Sequence, residues 1–121
     1  MNDKLIDFIK DNKKDFPYYV RISRIKEADK NNELIPIIVN NNIVGFYIYT
    51  LKKEFKSLFI STNFRGLKLA ENIIKKLPIG TTVATLKCKC FIKKMVERYN
   101  FSFIKEEKSN KANLLIFEKI A

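Results

Sequence analysis

Chemistry in this sequence has few places to come from. Its 121 residues include no histidine, which removes the commonest general base and every triad built on an imidazole. Proton transfer is left to Glu, Asp, Tyr, Cys, Lys or water. Cys88 and Cys90 stand two apart on a segment read as extended, where alternation points both to one face. A disulfide between them would be strained and a metal would lack further ligands, so they read as reduced thiols. The spacing that does suggest chemistry lies in residues 58–77, LFISTNFRGLKLAENIIKKL. An apolar run (Leu58, Phe59, Ile60) meets a polar turn opened by Ser61. That turn passes through Arg65-Gly66 into apolar positions at helical spacing, Leu69, Ala70, Ile73, Ile74 and Leu77. It reads as strand, loop, helix.

Such a junction leaves the first N–H groups of the helix without intrahelical acceptors, at the positive end of its dipole. That suits a phosphate or pyrophosphate. Gly66, lacking a Cβ, lets the backbone approach an anion closely, and Arg65 and Lys68 add charge beside it. The same residues also read as a basic turn capping an ordinary helix.

The rest of the chain must hold that junction in place. Residues 3–16 carry Leu5, Ile6, Phe8 and Ile9 among charges, with Asp3 available as a cap, so the spacing predicts an amphipathic helix that Pro17 ends. Residues 18–25 alternate, Tyr18, Val20 and Ile22 against Tyr19, Arg21 and Ser23, and predict a half-buried strand. Residues 26–33 are charged and read as a loop or short helix, either a solvated connection or an arm over a substrate site. Then come LIPIIV, the turn Asn40-Asn41-Asn42, IVGFYIYTL, a reversal at Lys52-Lys53-Glu54, and residues 55–61. This predicts a three-stranded antiparallel meander. After the helix, LPIG stops it and residues 81–88 are rich in β-branched types. A right-handed crossover would lay that strand parallel to residues 55–61. Helical spacing returns at Phe91, Ile92, Met95, Val96 and Tyr99, and residues 101–105 and 113–119 predict a closing hairpin.

Composition bounds the answer. The length suits one domain, and 46% hydrophobic residues suffice for one core. No apolar run approaches a bilayer span and residues 1–14 lack the apolar core of a secretory signal, so no membrane partner and a cytoplasmic protein are expected. The formal net charge of +11 raises an acidic partner, protein or nucleic acid. However, arginine occurs only at positions 21, 24, 65 and 98, and the lysines are spread along the chain, unlike the concentrated stripe of a base-reading protein.

Residues 58–70 resemble the acetyl-CoA signature of the GNAT superfamily of N-acetyltransferases: a strand ending in an apolar triplet, a short loop, then Arg/Gln-x-x-Gly-x-Gly/Ala entering a helix. Arg65 fills the first position and Ala70 the last, with Lys68 where the middle glycine is usual. PIIVNNNIVGFYIY resembles the family's strand, turn and glycine-containing strand, and KKMVERYNFSF is similar to its "YEKLGF" junction. There Val96 stands where tyrosine is usual and Asn100 where glycine is. The element order agrees along nearly the whole chain. The fold implied is α/β (α+β): a mixed, mostly antiparallel sheet of six to seven strands, helices on both faces, and one splayed parallel pair.

The activity implied is direct transfer of an acetyl group from acetyl-CoA to a primary amine on a protein, peptide or small molecule. The resemblance implies that the main chain of Phe59, Ile60 and Ser61 pairs with the pantetheine arm. The turn of Arg65, Gly66, Leu67, Lys68, Leu69 and Ala70 would then receive the pyrophosphate. The Ile60 N–H is implied as oxyanion donor, and Glu54 stands where some family members carry their base. Val96 cannot protonate the thiolate, which leaves Tyr99, Cys88 or Cys90, with Tyr99 falling near the same helix face. Two alternatives remain: a catalytically silent GNAT-fold binding or inhibitory module, and a lysine-rich nucleic-acid binder.

Overall fold

The computed structural model describes residues 2–17, 20–66, 68–86, 94, 96–108 and 113–121. Helix α1 spans Asp3–Asn12. Its cap is Asn2, one residue before the aspartate that the sequence suggests, and the Asn2 side chain accepts the Leu5 N–H at 2.8 Å. Leu5 and Ile9, four apart, give the helix its buried stripe. A 3-10 turn at Lys13–Asp15 closes it, with the Phe16 N–H donating to the Lys13 carbonyl.

Among the described residues of the expected 18–25 strand, 20–25, none is in a strand. Helix α2, Ile22–Lys30, occupies its second half, while Tyr18 and Tyr19 lie outside the described residues. The alternation that suggested a strand rested on a few positions. A longer pattern, Ile22, Ile25 and Ala28, repeats every three and buries Ile25 and Ala28 along one helix face. The helix also absorbs most of the charged segment that follows.

Six strands are described: β1 Leu34–Val39, β2 Asn42–Tyr49, β3 Glu54–Ile60, β4 Thr82–Leu86, β5 Phe101–Lys108 and β6 Asn113–Lys119, in the order β1-β2-β3-β4-β6-β5. Between β3 and β4 runs helix α3, Leu69–Lys75. Residues 94 and 96–98 are helical. No helix among the described residues is long and apolar enough to cross a membrane.

The chain resolves into two compact units, residues 1–52 with 56–67 and residues 53–55 with 68–121. In the first, β1 and β2 form an antiparallel hairpin whose turn places Asn40 and Asn41 at φ 51 and 66, the left-handed values asparagine tolerates. β3 continues from β2, with the Ser61 N–H on the Val44 carbonyl at 2.8 Å. The core is aromatic. Phe46 and Phe59 are buried, and the rings of Phe8 and Phe16, brought by α1 and its closing turn, meet both of them at centroid distances of 4.7 to 6.3 Å. Edge-on and tilted contacts of this kind suit ring quadrupoles.

In the second unit β6 lies antiparallel to both β4 and β5. Val83, Leu115 and Phe117 share one face of these strands and are buried, and Val96 and Ile74 of α3 are buried in the same unit. Lys119 is buried as well, and its Nζ donates to the Lys75 carbonyl at 2.7 Å. A cation at the last turn of α3 satisfies an orphan carbonyl and complements the dipole.

Candidate active site

β3 and β4 are parallel, as the strand–helix–strand order demands. Their ladder holds two pairs, Glu54 with Thr82 and Phe55 with Val83, while β3 runs on to Ile60 and β4 to Leu86. Inside β3, Ser57 takes φ 57. A left-handed residue in a strand breaks the two-residue alternation: Phe55 is buried, residues 56–58 are half-buried, and Phe59 and Ile60 are buried in succession. No residue type in the sequence announced this bulge. Serine carries no αL preference comparable to that of glycine or asparagine.

At the end of β3 the main chain is partly spoken for. The Ser61 N–H is held by Val44, and the Ile60 carbonyl accepts Nε of Arg65 at 2.8 Å. Bonds of successive strand residues leave on opposite sides, so the Ile60 N–H is turned away from β2. Arg65 reaches its acceptor through a 3-10 turn, Thr62–Phe64, and its guanidinium lies 5.6 Å from the centre of the Phe59 ring. Arginine thus ties the turn to the strand that precedes it.

Two of the described residues of this turn are left-handed. Gly66 has φ 84, and a Cβ built on it meets no atom within 4 Å, so backbone conformation rather than crowding asks for glycine. Lys68, the N-cap of α3, has φ 60 and ψ 21 and gives no side-chain cap. The position where the family pattern carries glycine therefore has the backbone that explains the glycine, here adopted by lysine at a cost of about 1 kcal/mol. Lys68→Gly is expected to raise the unfolding free energy by about that amount, read from the urea midpoint. The helix geometry leaves the N–H groups of Leu69, Ala70 and Glu71 without intrahelical acceptors, the first bond being Asn72 N–H to the Lys68 carbonyl. Leu67 lies outside the described residues.

Glu54 is half-buried where β3 opens. Tyr99 is half-buried, and its hydroxyl donates to the carboxylate of Glu71 in the first turn of α3, which Arg98 also contacts at 3.1 Å. Glu71, which sequence reading passed over, thus holds the phenol considered as a proton donor. The signal for it was only an acid in a first helical turn. The hydrogen bond from Tyr99, ahead of the Arg98 and Lys68 charges and against partial desolvation, holds the Glu71 carboxyl below the usual carboxylate range. That same bond, then desolvation, raises the Tyr99 phenol.

The depressed Glu71 contributes stability that is complete above the ordinary carboxylate range and is lost as pH falls through the folded value. Tyr99 contributes stability that is present below the ordinary tyrosine range and is lost as pH rises through its raised value. Glu71→Gln is expected to flatten both limbs of a plot of urea midpoint against pH. Val96, at the family's usual tyrosine position, is fully buried and belongs to the core. Cys88 and Cys90 lie outside the described residues.

No family profile matches the sequence, and no curated protein is similar to it. Solved structures are. A GNAT family acetyltransferase from Elizabethkingia anophelis with acetyl-CoA bound superposes with a TM-score of 0.65 at 14% identity, over 84% of this chain and 84% of that one. One from Streptococcus agalactiae gives 0.70 at 13%, over 85% and 73%. A spermidine N-acetyltransferase chimera from Vibrio cholerae and hSSAT gives 0.71 at 12%, over 99% and 93%. At such identities the likeness is one of architecture, and the chain has the GNAT acetyltransferase fold.

Proposed function

We propose that the chain is a single-domain, cytoplasmic N-acetyltransferase of the GNAT family that moves an acetyl group from acetyl-CoA to a primary amine by direct transfer. The observation that carries the reading is the turn from β3 into α3. Gly66 and Lys68 are left-handed, the first amides of α3 are uncapped by any Lys68 side-chain bond, and Arg65 is anchored on Ile60. Fit supports it too. Nothing occupies the place of a Cβ at Gly66, and a solved structure of the same fold holds acetyl-CoA.

In this reading the amides of Leu69 and Ala70, with Gly66, Leu67 and the charges of Arg65 and Lys68, hold the pyrophosphate, and the main chain of Phe59, Ile60 and Ser61 lines the pantetheine arm. Because Ser61 gives its N–H to Val44, Ile60 is the residue of the three whose N–H faces away from β2. It is the donor for the developing oxyanion. Bound acetyl-CoA supplies a thioester-activated acetyl group. Glu54 takes the proton that the acceptor nitrogen sheds as its bond to the acetyl carbon forms. Tyr99 gives its proton to the sulfur released when the C–S bond breaks, and Glu71 holds the phenol until then. Nitrogen loses one proton and sulfur gains one.

Calorimetric titration with acetyl-CoA tests the site: the protein should bind, and Gly66→Val, forced out of its left-handed backbone, should bind at least about tenfold more weakly. Equal affinity in the variant would move the site elsewhere. A second reading, a silent binding module, draws on buried Val96 and on the engagement of Tyr99 by Glu71. Acetyl-CoA binding without thiol release against any amine would select it.

A further inference from the structure

Within the first unit a cavity of about 340 Å³ opens between α2, the end of β2 and β3, lined by Arg24, Glu27, Ala28, Glu33, Ile48, Thr50 and Lys56. We infer that this cavity binds a zwitterionic amino compound of amino-acid size, its carboxylate on Arg24 and Lys56 and its ammonium on Glu27. The inference rests on the cavity and its charged lining, and stands apart from the acetyl-transfer reading.

Charge decides the class. Two cations and two carboxylates line one small space, and among the described residues no ion pair or side-chain hydrogen bond joins Arg24, Glu27 and Lys56 to one another. Opposite charges gathered in a cavity without pairing are complementary to a ligand that brings both signs. A polyamine would meet Arg24 and Lys56 as like charges, and a simple carboxylic acid would leave Glu27 unmatched. Arg24 offers planar, two-pronged recognition of a carboxylate, which Lys56 supplements as a point charge.

The wall is built before a ligand arrives. Glu33 fixes the end of α2 against the end of β2: its N–H donates to the Ala28 carbonyl at 2.8 Å, its carbonyl accepts the Tyr49 N–H at 3.0 Å, and its carboxylate accepts the Leu51 N–H at 2.9 Å. With Glu33 so engaged, Glu27 is the carboxylate left to the ligand. Ala28 and Ile48, both almost fully buried, supply an apolar lining for an aliphatic side chain. The volume admits a molecule of amino-acid size and sits at the small end of ligand pockets. Lys56 lies on β3 four residues before Ile60, about 13 Å along the strand, so the cavity is a ligand site separate from the turn proposed to hold acetyl-CoA.

The test is a titration of nitrogen-15-labelled protein, without acetyl-CoA, by a matched set: L-leucine, isoamylamine (leucine without its carboxylate), 4-methylpentanoate (leucine without its amine) and spermidine. Leucine should shift the amides of Glu27, Ala28, Ile48 and Thr50, and the other three should bind about tenfold more weakly or not at all. Arg24→Gln should weaken leucine about tenfold while leaving isoamylamine unchanged, its unaltered spectrum showing that the fold survives. Absence of leucine binding, spermidine or isoamylamine binding as tightly as leucine, or an Arg24→Gln variant that keeps its leucine affinity would each overturn the inference. Failure of acetyl-CoA to bind would instead sink the transferase reading, and the leucine titration does not depend on it.

Discussion

Gly45→Ala is expected to cost about 3 kcal/mol of stability, seen as a lowered urea midpoint at unchanged slope. A Cβ at Gly45 would stand 2.3 Å from the carbonyl oxygen of Phe59 and 3.1 Å from the Cα of Ile60. Both are backbone atoms and neither can rotate away. The third neighbour, the Ile37 side chain at 3.3 Å, can give a little. Relief therefore requires β3 to move off β2 at its last two residues. The smaller conformational freedom of alanine in the unfolded chain offsets less than about 1 kcal/mol of this. Because the displaced backbone is that of Phe59 and Ile60, the folded fraction of the variant should also bind acetyl-CoA more weakly. A midpoint equal to the wild type would show that the strands are not so close.

Gly45 shows how far sequence reading reaches. A glycine between β-branched and aromatic residues signals close backbone approach or a bulge, and here the approach is real. The turn Asn40-Asn41-Asn42 was legible because asparagine carries its own preference for left-handed backbone. The parallel pairing of β3 with β4 followed from chain order alone. Ser57 and Lys68 were not legible as left-handed, since neither residue type favours that region, and only the surrounding structure holds them there. At Lys68 the family pattern pointed to the position without naming its cause. Residues 18–25 misled for another reason: alternation over a few residues and spacing by three share positions, and burial of Ile25 and Ala28 decided for the helix. The cavity beside α2 draws on Arg24, Glu27, Glu33 and Lys56 from separate elements, and no local pattern links them.

Phe59→Ala should be the more damaging change, at about 4 kcal/mol, because it removes a ring from the middle of the first unit's core. Phe59 is 3% exposed and meets Phe8, Phe16 and Phe46 at centroid distances of 6.1, 4.7 and 5.8 Å. No small rearrangement of three rings fills that space. Phe59→Leu keeps most of the volume and should cost about 1.5 kcal/mol. The two variants differ in what they teach, since the leucine protein remains folded while losing the ring under the Arg65 guanidinium. If that ring orients Arg65 on the Ile60 carbonyl, Phe59→Leu and Arg65→Ala should not be additive. The coupling expected for an exposed cation over a ring is about 0.5 to 1 kcal/mol in stability. Acetyl-CoA affinity, measured through the same cycle, should show coupling of the same sign, because a guanidinium freed from Phe59 no longer presents its charge at a fixed place beside Gly66. Additive effects in both measurements would detach the core from the turn, leaving Arg65 as a surface charge whose position the aromatic cluster does not govern.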